Sequence, residues 1–330
     1  MSIIANPSMH GSLFANHCMK DQTWAALAKT NSKGIITNAQ GALKYDDIKL
    51  LTDDIVKARE YEFVGSFYRS FQSAGLIKSV PIGKTLVDYK DMSSMGDAHV
   101  SMDAANRQQE QLNYDQKLVP LPIFHKDWTV PWRQEGFSYK QTDGSQESSF
   151  RVMETRDRVL LLGDSSISVN GVPLYGYTNH PATLTETISD WANVANIKQV
   201  RKDAIDMNKK MFLEAKVSNT RAVGMFVSTD IWATLPNLTD DTYNAPSALT
   251  QLQGLGYRFV DVNQDLPDGT VLLIEYTPMT SDLIVGSDLI ALPWQKNNQL
   301  EDMRFTNMAS AAPRIKTDRN GVTGVLYASK

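Results

Sequence analysis

Apolar residues recur at helical spacing in three stretches of the chain and at strand spacing in several others. Between Asp46 and Glu60, Ile48, Leu51, Ile55 and Ala58 mark one face of a helix that Asp46 or Asp47 can cap. An aromatic run follows (Tyr61, Phe63, Phe67, Tyr68, Phe71), and Val80–Gly83 breaks the pattern. A second helix is expected from Ser148 to Gly163. Phe150, Met153, Val159, Leu160 and Leu162 supply its apolar surface, Ser148 or Ser149 its cap and Gly163 its stop. Val200, Ala204, Met207, Met211 and Ala215 form a third amphipathic series. After it, strands are expected over Ala222–Ser228, Tyr257–Val262, Thr270–Tyr276 and Leu283–Leu292. Short helices are expected over Thr229–Leu235 and Ser247–Gly256, so this section reads as mixed α/β. Pro293–Lys330 reads as irregular strands returning to the body. Residues 1–45 hold few periodic apolar positions, and the polar leader Met1–Lys33 is expected to dock on another surface.

The longest excursion lies between the first two helices. Leu86–Met102 reads as an outgoing β-strand, Asp103–Gln111 as a polar tip and Leu112–Val130 as the return strand. At ~3.3 Å per residue an arm of about 15 residues reaches roughly 50 Å. A compact chain of this size has a radius of gyration near ~20 Å. Such a hairpin projects, and a lone two-stranded hairpin is only marginally stable in water. An external surface is therefore expected to hold it, which points to an assembly subunit before it points to an enzyme.

Composition narrows the picture. The 330 residues are 42% hydrophobic and 21% charged, enough for one large or two ordinary domains with a sizeable core. A net charge of −4 argues against a protein whose main task is gripping nucleic acid through its phosphates. One cysteine, Cys18, excludes an intramolecular disulfide framework. Neither a secretory leader nor an 18-residue apolar span is expected, and no repeat or low-complexity tract stands out.

Candidate chemistry is sparse. Val159–Ser166 (VLLLGDSS) resembles the nucleophile block of GDSL-type esterases, with Ser165 or Ser166 as the nucleophile. That chemistry needs a histidine base later in the chain, and none follows His180. His10, His17, His99, His125 and His180 form none of the usual zinc spacings, and the His17–Cys18 pair lacks two further ligands. Gly254 and Gly256 lack the strand-before, helix-after context of a dinucleotide site. Asp53–Asp54, Asp240–Asp241 and the group Asp261, Asp265 and Asp268 read as caps and turns, without calcium-loop spacing. Lys117–Arg133 interleaves Phe124, Lys126, Trp128 and Trp132 at strand spacing, which suits a ribbon lying on a neighbour better than a base-stacking face. His125, Trp128, Trp132 and Arg133 lie near the hairpin's base and can instead pack on their own subunit. No catalytic, cofactor-binding or metal residue is assigned, and no enzyme activity is expected.

Taken in order, these features resemble tailed-bacteriophage major capsid proteins, whose fold is shared with encapsulins. The matching order is an N-terminal arm and helix (Asp46–Glu60), an extended loop and the strand ending FHKDWTVPWRQ (Phe124–Gln134). The spine helix SSFRVMETRDRVLLLG, the turn GYTNHP (Gly176–Pro181) and an α/β domain beginning with an amphipathic helix follow. The resemblance implies an α+β capsid fold divided as residues 1–45 arm, 46–84 helix and start of the peripheral domain, and 85–130 extended loop. It continues as residues 131–184 peripheral domain with the spine helix, 185–295 axial domain and 296–330 C-terminal return strands. It implies a structural subunit that self-assembles through pentamers and hexamers into an icosahedral head shell, each hairpin lying across a neighbour. The partners it implies are further copies of the chain, double-stranded DNA held without sequence specificity, and decoration, portal or scaffolding proteins. It implies no membrane and no cofactor, with assembly in the host cytoplasm and residence in the virion. An encapsulin-type nanocompartment is the alternative within the fold, and a GDSL-like hydrolase the alternative outside it. No lysine–asparagine crosslink pair is singled out.

Overall fold

A computed structural model describes residues 65–92, 114–134, 138–193, 196–238, 246–296, 298, 300–317 and 321–330. The arm, the expected helix Asp46–Glu60, Tyr61, Phe63 and the hairpin tip lie outside the described residues. So do His10, His17, Cys18, His99, Asp53, Asp54, Asp240 and Asp241. The described residues fall in two compact units. The larger takes Gly65–Pro122, Asp157–Gly286 and Ala311–Lys330; the smaller takes Ile123–Arg156 and Ser287–Ser310.

The larger unit is built on a five-stranded sheet in the order β7 (Leu184–Thr187), β13 (Val325–Ser329), β10 (Thr270–Glu275), β8 (Val223–Val227), β9 (Phe259–Val262). β10 runs antiparallel to both its neighbours, while β7 and β9 add in parallel at the edges. β8 is apolar at every position because both its faces are covered. Val223, Met225 and Val227 join Val271 and Leu273 of β10 in one core. Helix α1 (Ser66–Ser73) brings Phe67 and Phe71 to Phe226, Tyr177 and Tyr276, and Phe259 meets Phe226 and Tyr276 in turn, with ring centroids 4.7–5.4 Å apart.

Helix α3 (Ile197–Leu213) buries Val200, Ala204, Met207 and Met211 in the first core, as the spacing predicts. Ile231 of α4 (Thr229–Thr234) and Leu252 of α5 (Ala248–Gln253) join them. Asp203, on the inner side of α3, accepts hydrogen bonds from the Ser189 amide (2.8 Å), the Trp191 indole (3.0 Å) and the Gln199 amide (2.9 Å). Burial acts to raise its pKa, and the hydrogen bonds outweigh burial, so the carboxyl sits below its ordinary value.

Helix α2 (Ser138–Leu162) starts ten residues earlier than its apolar pattern suggests. Ser148 is therefore a buried interior residue and not a cap. Gly144, Ser145 and Ser148 interrupt the apolar pattern there because each serves a contact. In the smaller unit a Cβ on Gly144 would lie 2.5 Å from the Trp128 ring, so glycine there lets the indole pack against the helix. At the other end, Gly163 (φ 72°) stops α2 as expected. The orphan carbonyls of Leu160 and Leu161 then accept the Tyr177 and Thr178 amides at 3.2 and 3.0 Å, so the GYTNHP turn caps α2. Strands β5 (Asp164–Val169) and β6 (Val172–Leu174) form a ribbon closed by Asn170 (φ 53°) and Gly171 (φ 78°), a pair suited to a tight hairpin turn.

β11 (Ser281–Pro293) and β12 (Met303–Ile315) are neighbouring strands of 13 residues each. In the larger unit β1 (Ile77–Ser79) pairs in parallel with the start of β11. In the smaller unit β4 (Ile123–Val130) pairs antiparallel with β12, from Met303↔Val130 to Ser310↔Ile123. The tail expected to be irregular is thus largely regular strand, and β13 sits inside the five-stranded sheet.

Candidate functional site

The feature with the clearest functional geometry is the hairpin root. β2 (Leu86–Met92) and β3 (Tyr114–Pro120) pair over seven residues, Leu86↔Pro120 to Met92↔Tyr114. Alternation gives the ribbon two unlike faces. On one, Val87 lies opposite Val119. Both join Leu121, Leu174, Ile284 and Ala312 in a small apolar cluster. On the same face the Tyr89 hydroxyl donates to the Ile315 carbonyl at 3.1 Å, and the Lys117 ammonium donates to the Thr317 hydroxyl. On the other face, Asp88, Lys90 and Gln116 are exposed, and so are Leu118 (37%) and Tyr114 (58%). Gln116 donates to Asp88 at 3.1 Å. The root is pinned to its own body while an apolar and charged face is left uncovered.

The expected return strand Leu112–Val130 is two strands. Pro120 and Pro122 have no N–H for a ladder. Between them the Leu121 amide turns back to the Thr85 carbonyl at 2.9 Å, and its side chain is buried. β4 then belongs to the smaller unit, so the aromatic and basic run at Lys117–Arg133 is not one ribbon face. Phe124 is buried, and Trp128 stacks on Phe305 at 4.4 Å and 14°. The Trp132 amide donates to Asp302 at 3.0 Å, and the Arg133 guanidinium lies 5.3 Å from the Trp132 ring centre. His125 and Lys126 point to solvent, His125 lying 4.0 Å from the Asp127 carboxylate. Trp128 thus packs within its own subunit, as one of the two sequence readings allowed.

The esterase-like block is local structure. The Ser166 hydroxyl donates to Asp164 at 2.6 Å, and the Ser166 amide does so at 2.9 Å. These bonds hold the Asp164 carboxyl below its ordinary pKa. His180 Nδ1 accepts the Ala182 amide at 3.2 Å, and the ring meets Tyr175 edge-on at 5.5 Å. Burial first, and the Lys117 charge second, push its imidazole down to about 4. Among the described residues no hydrogen bond joins His180 to Ser165 or Ser166, and no group of three or more His, Cys, Asp or Glu is placed to hold a metal ion. Gly254 follows α5 and Gly256 (φ 84°) feeds β9. Asp261 lies within β9 and not in a turn, its carboxylate accepting the Val262 amide at 2.8 Å, while Asp265 and Asp268 do lie in turns, the Asp265 amide donating to Asn263 at 2.9 Å. No helix among the described residues is long and apolar enough to cross a membrane.

Sequence reasoning missed three buried polar centres: Asp203, Asn307 and the Asp282–Arg314 pair. Arg314 offered a signal, since it stands among the small residues Ala309–Pro313 and Ile315, a stretch buried at every position.

The chain is similar in fold to solved structures over most of its length. The capsid of Myoviridae phage XM1 matches at a TM-score of 0.60 and 12% identity, covering 88% of this chain and 99% of that one. A structure from Mycobacterium phage Bobi matches at 0.59 and 13%, covering 91% and 98%. A virus-like particle from Pyrococcus furiosus matches at 0.50 and 12%, covering 82% and 100%. The chain therefore has the fold of tailed-phage major capsid proteins, as its order of features led us to expect. No curated protein sequence matches it. Residues 72–328 match a family of unknown function (DUF6260), and the chain belongs to that family.

Proposed function

We propose that this chain is a major capsid protein, the structural subunit of an icosahedral head shell that encloses a phage genome. The observation that carries the reading is the hairpin root, held by its own body on one face and uncovered on the other, within a fold shared with phage capsids. Such a ribbon is only marginally stable alone and gains stability from a neighbour's surface. The five-stranded sheet with α3, α4 and α5 corresponds to the axial domain around the five- and six-fold positions. The spine helix and the strands of the smaller unit correspond to the peripheral domain. Other copies of the chain are the main partners, DNA is enclosed without sequence reading, and the mature protein resides in the virion.

The test is electron microscopy of the purified full-length chain. Closed shells of uniform size are expected, and a stable 37 kDa monomer at every concentration would remove the reading. Likeness to the Pyrococcus furiosus virus-like particle favours one second reading, a nanocompartment shell. Shells that copurify with an enzyme cargo and lack DNA would select it. An enzyme role is tested by ester hydrolysis of the unmutated chain against Ser165→Ala and Ser166→Ala, with no activity expected.

A further inference from the structure

The ribbon of β5 and β6 turns on a residue pair with chemistry of its own. Val169 pairs with Val172, so Asn170 and Gly171 form a two-residue turn, and both have positive φ (53° and 78°). That is the type I′ geometry. Both residues are exposed, and a Cβ on Gly171 would meet nothing within 4 Å. Among the described residues, neither the Gly171 amide nor the Asn170 side chain has a hydrogen-bond partner.

Two other Asx–Gly pairs show how a fold can shield such a place. Asp143–Gly144 lies inside α2, with Gly144 against the Trp128 ring. Asp268–Gly269 lies in a turn, but the Gly269 amide donates to both carboxylate oxygens of Asp230, at 3.1 and 2.9 Å. Of the described Asx–Gly pairs, Asn170–Gly171 alone joins a side-chain amide to an unengaged following nitrogen on an open turn.

The Gly171 nitrogen reaches Cγ of Asn170 when it eclipses Cβ about the Cα–C bond, at ψ of about −120°, the value found in a type II′ turn. The same turn asks for φ of about +60° at that residue, and Asn170 already holds 53°. Only the peptide plane between residues 170 and 171 has to turn over. Residue 171 then changes the sign of its φ, which glycine does without steric cost. We propose that Asn170–Gly171 is a self-modification site at which asparagine closes to a succinimide and opens to aspartate or isoaspartate. The Gly171 nitrogen gives its proton to solvent and bonds to Cγ. The Cγ–Nδ2 bond breaks, and ammonia leaves carrying a proton returned by solvent. Water then opens the ring at either carbonyl. The isoaspartate product has one extra main-chain carbon between Val169 and Val172. The ribbon sets Ile167 and Leu174 in the cluster with Val87 and Leu121, so this product loosens the packing under the hairpin root.

The test holds the full-length protein in neutral and in mildly alkaline buffer, with and without urea, and follows it by peptide mass mapping with electron-transfer fragmentation. The tryptic peptide from Val159 to Lys198 also contains Asn179, Asn193 and Asn196, which serve as comparisons. A gain of one mass unit with an isoaspartate signature is expected at Asn170, at least tenfold faster than at the other three. It should quicken in alkali and run within a few-fold of its rate in urea. Conversion no faster than at Asn179, or a folded rate far below the rate in urea, overturns the site. Asn170→Asp supplies the aspartate product alone and should melt as fresh protein does, while the isoaspartate-bearing fraction melts lower. Equal melting of that fraction overturns the effect on the ribbon. None of these readouts depends on shell formation.

Discussion

At the scale of single residues, the polar groups that sequence patterning passes over make the sharpest demands. Asn307 is fully buried, and its amide nitrogen contacts the Ser145 carbonyl at 2.8 Å and the Ser148 and Ser149 hydroxyls at 2.6 and 2.8 Å. Asn307→Ala would strand these groups, and we expect a loss of about 2–3 kcal/mol in denaturant unfolding. A loss under about 0.5 kcal/mol would show that the contacts carry no weight. His180 makes a pH-dependent demand. Its folded pKa of about 4 lies below its ordinary 6.5, so the unfolded chain takes up the proton first. Stability from this group is full above pH 6.5 and falls as pH drops toward 4, by on the order of 2–3 kcal/mol. Urea midpoints at pH 7 and pH 4.5 should separate more in the unmutated protein than in His180→Asn; equal separation would count against burial as the cause. Apolar residues such as Met207 and Met211 were legible because burial repeats with the helix. Asn307 was not, because its acceptors lie some 160 positions earlier in the chain.

At the scale of elements, the helices and strands from α3 to β11 were legible in type and to within a few residues in extent. Helix α1, the short strands β1, β5, β6 and β7 and the regular strands β12 and β13 were not, and two boundaries also escaped. The start of α2 is set by what Gly144 and Ser148 touch, and neither residue advertises a helix. The break after β3 was written in Pro120 and Pro122, but the apolar content on either side suggested one continuous strand. The hairpin root gives a prediction at this scale. Removing Asp91–Gln111 leaves Val87, Tyr89, Lys117 and Leu121 in place. The shortened chain should keep its circular-dichroism spectrum and melt cooperatively, yet fail to build shells. Unfolding on that deletion would contradict a projecting hairpin.

At the scale of the whole molecule, the order of elements was legible before any coordinate, because connection order is a property of the chain. Which large apolar side chains stay at the surface was not, since exposure of Leu118 and Tyr114 follows from tertiary packing. A shell subunit also has a stability that depends on its own concentration, because only the folded form assembles. The melting temperature should therefore rise with protein concentration in the unmutated chain and stay flat in the hairpin deletion. A flat response in both would argue for a monomer.

The place of β13 has a consequence for the order of events in the cell. Its Leu326 pairs with Leu184 of β7 on one side and with Leu273 of β10 on the other. The partner on β7 leaves the ribosome about 140 residues before β13 does. At ~5–20 residues per second that is a wait of roughly 7–28 s. Throughout it β7 lacks its partner, and β10, made about 50 residues before β13, lacks it for the last part, so each presents an open ladder to passing chains. The sheet closes only when residues 325–329 emerge, which delays completion of this unit until almost the whole of the described chain has been made.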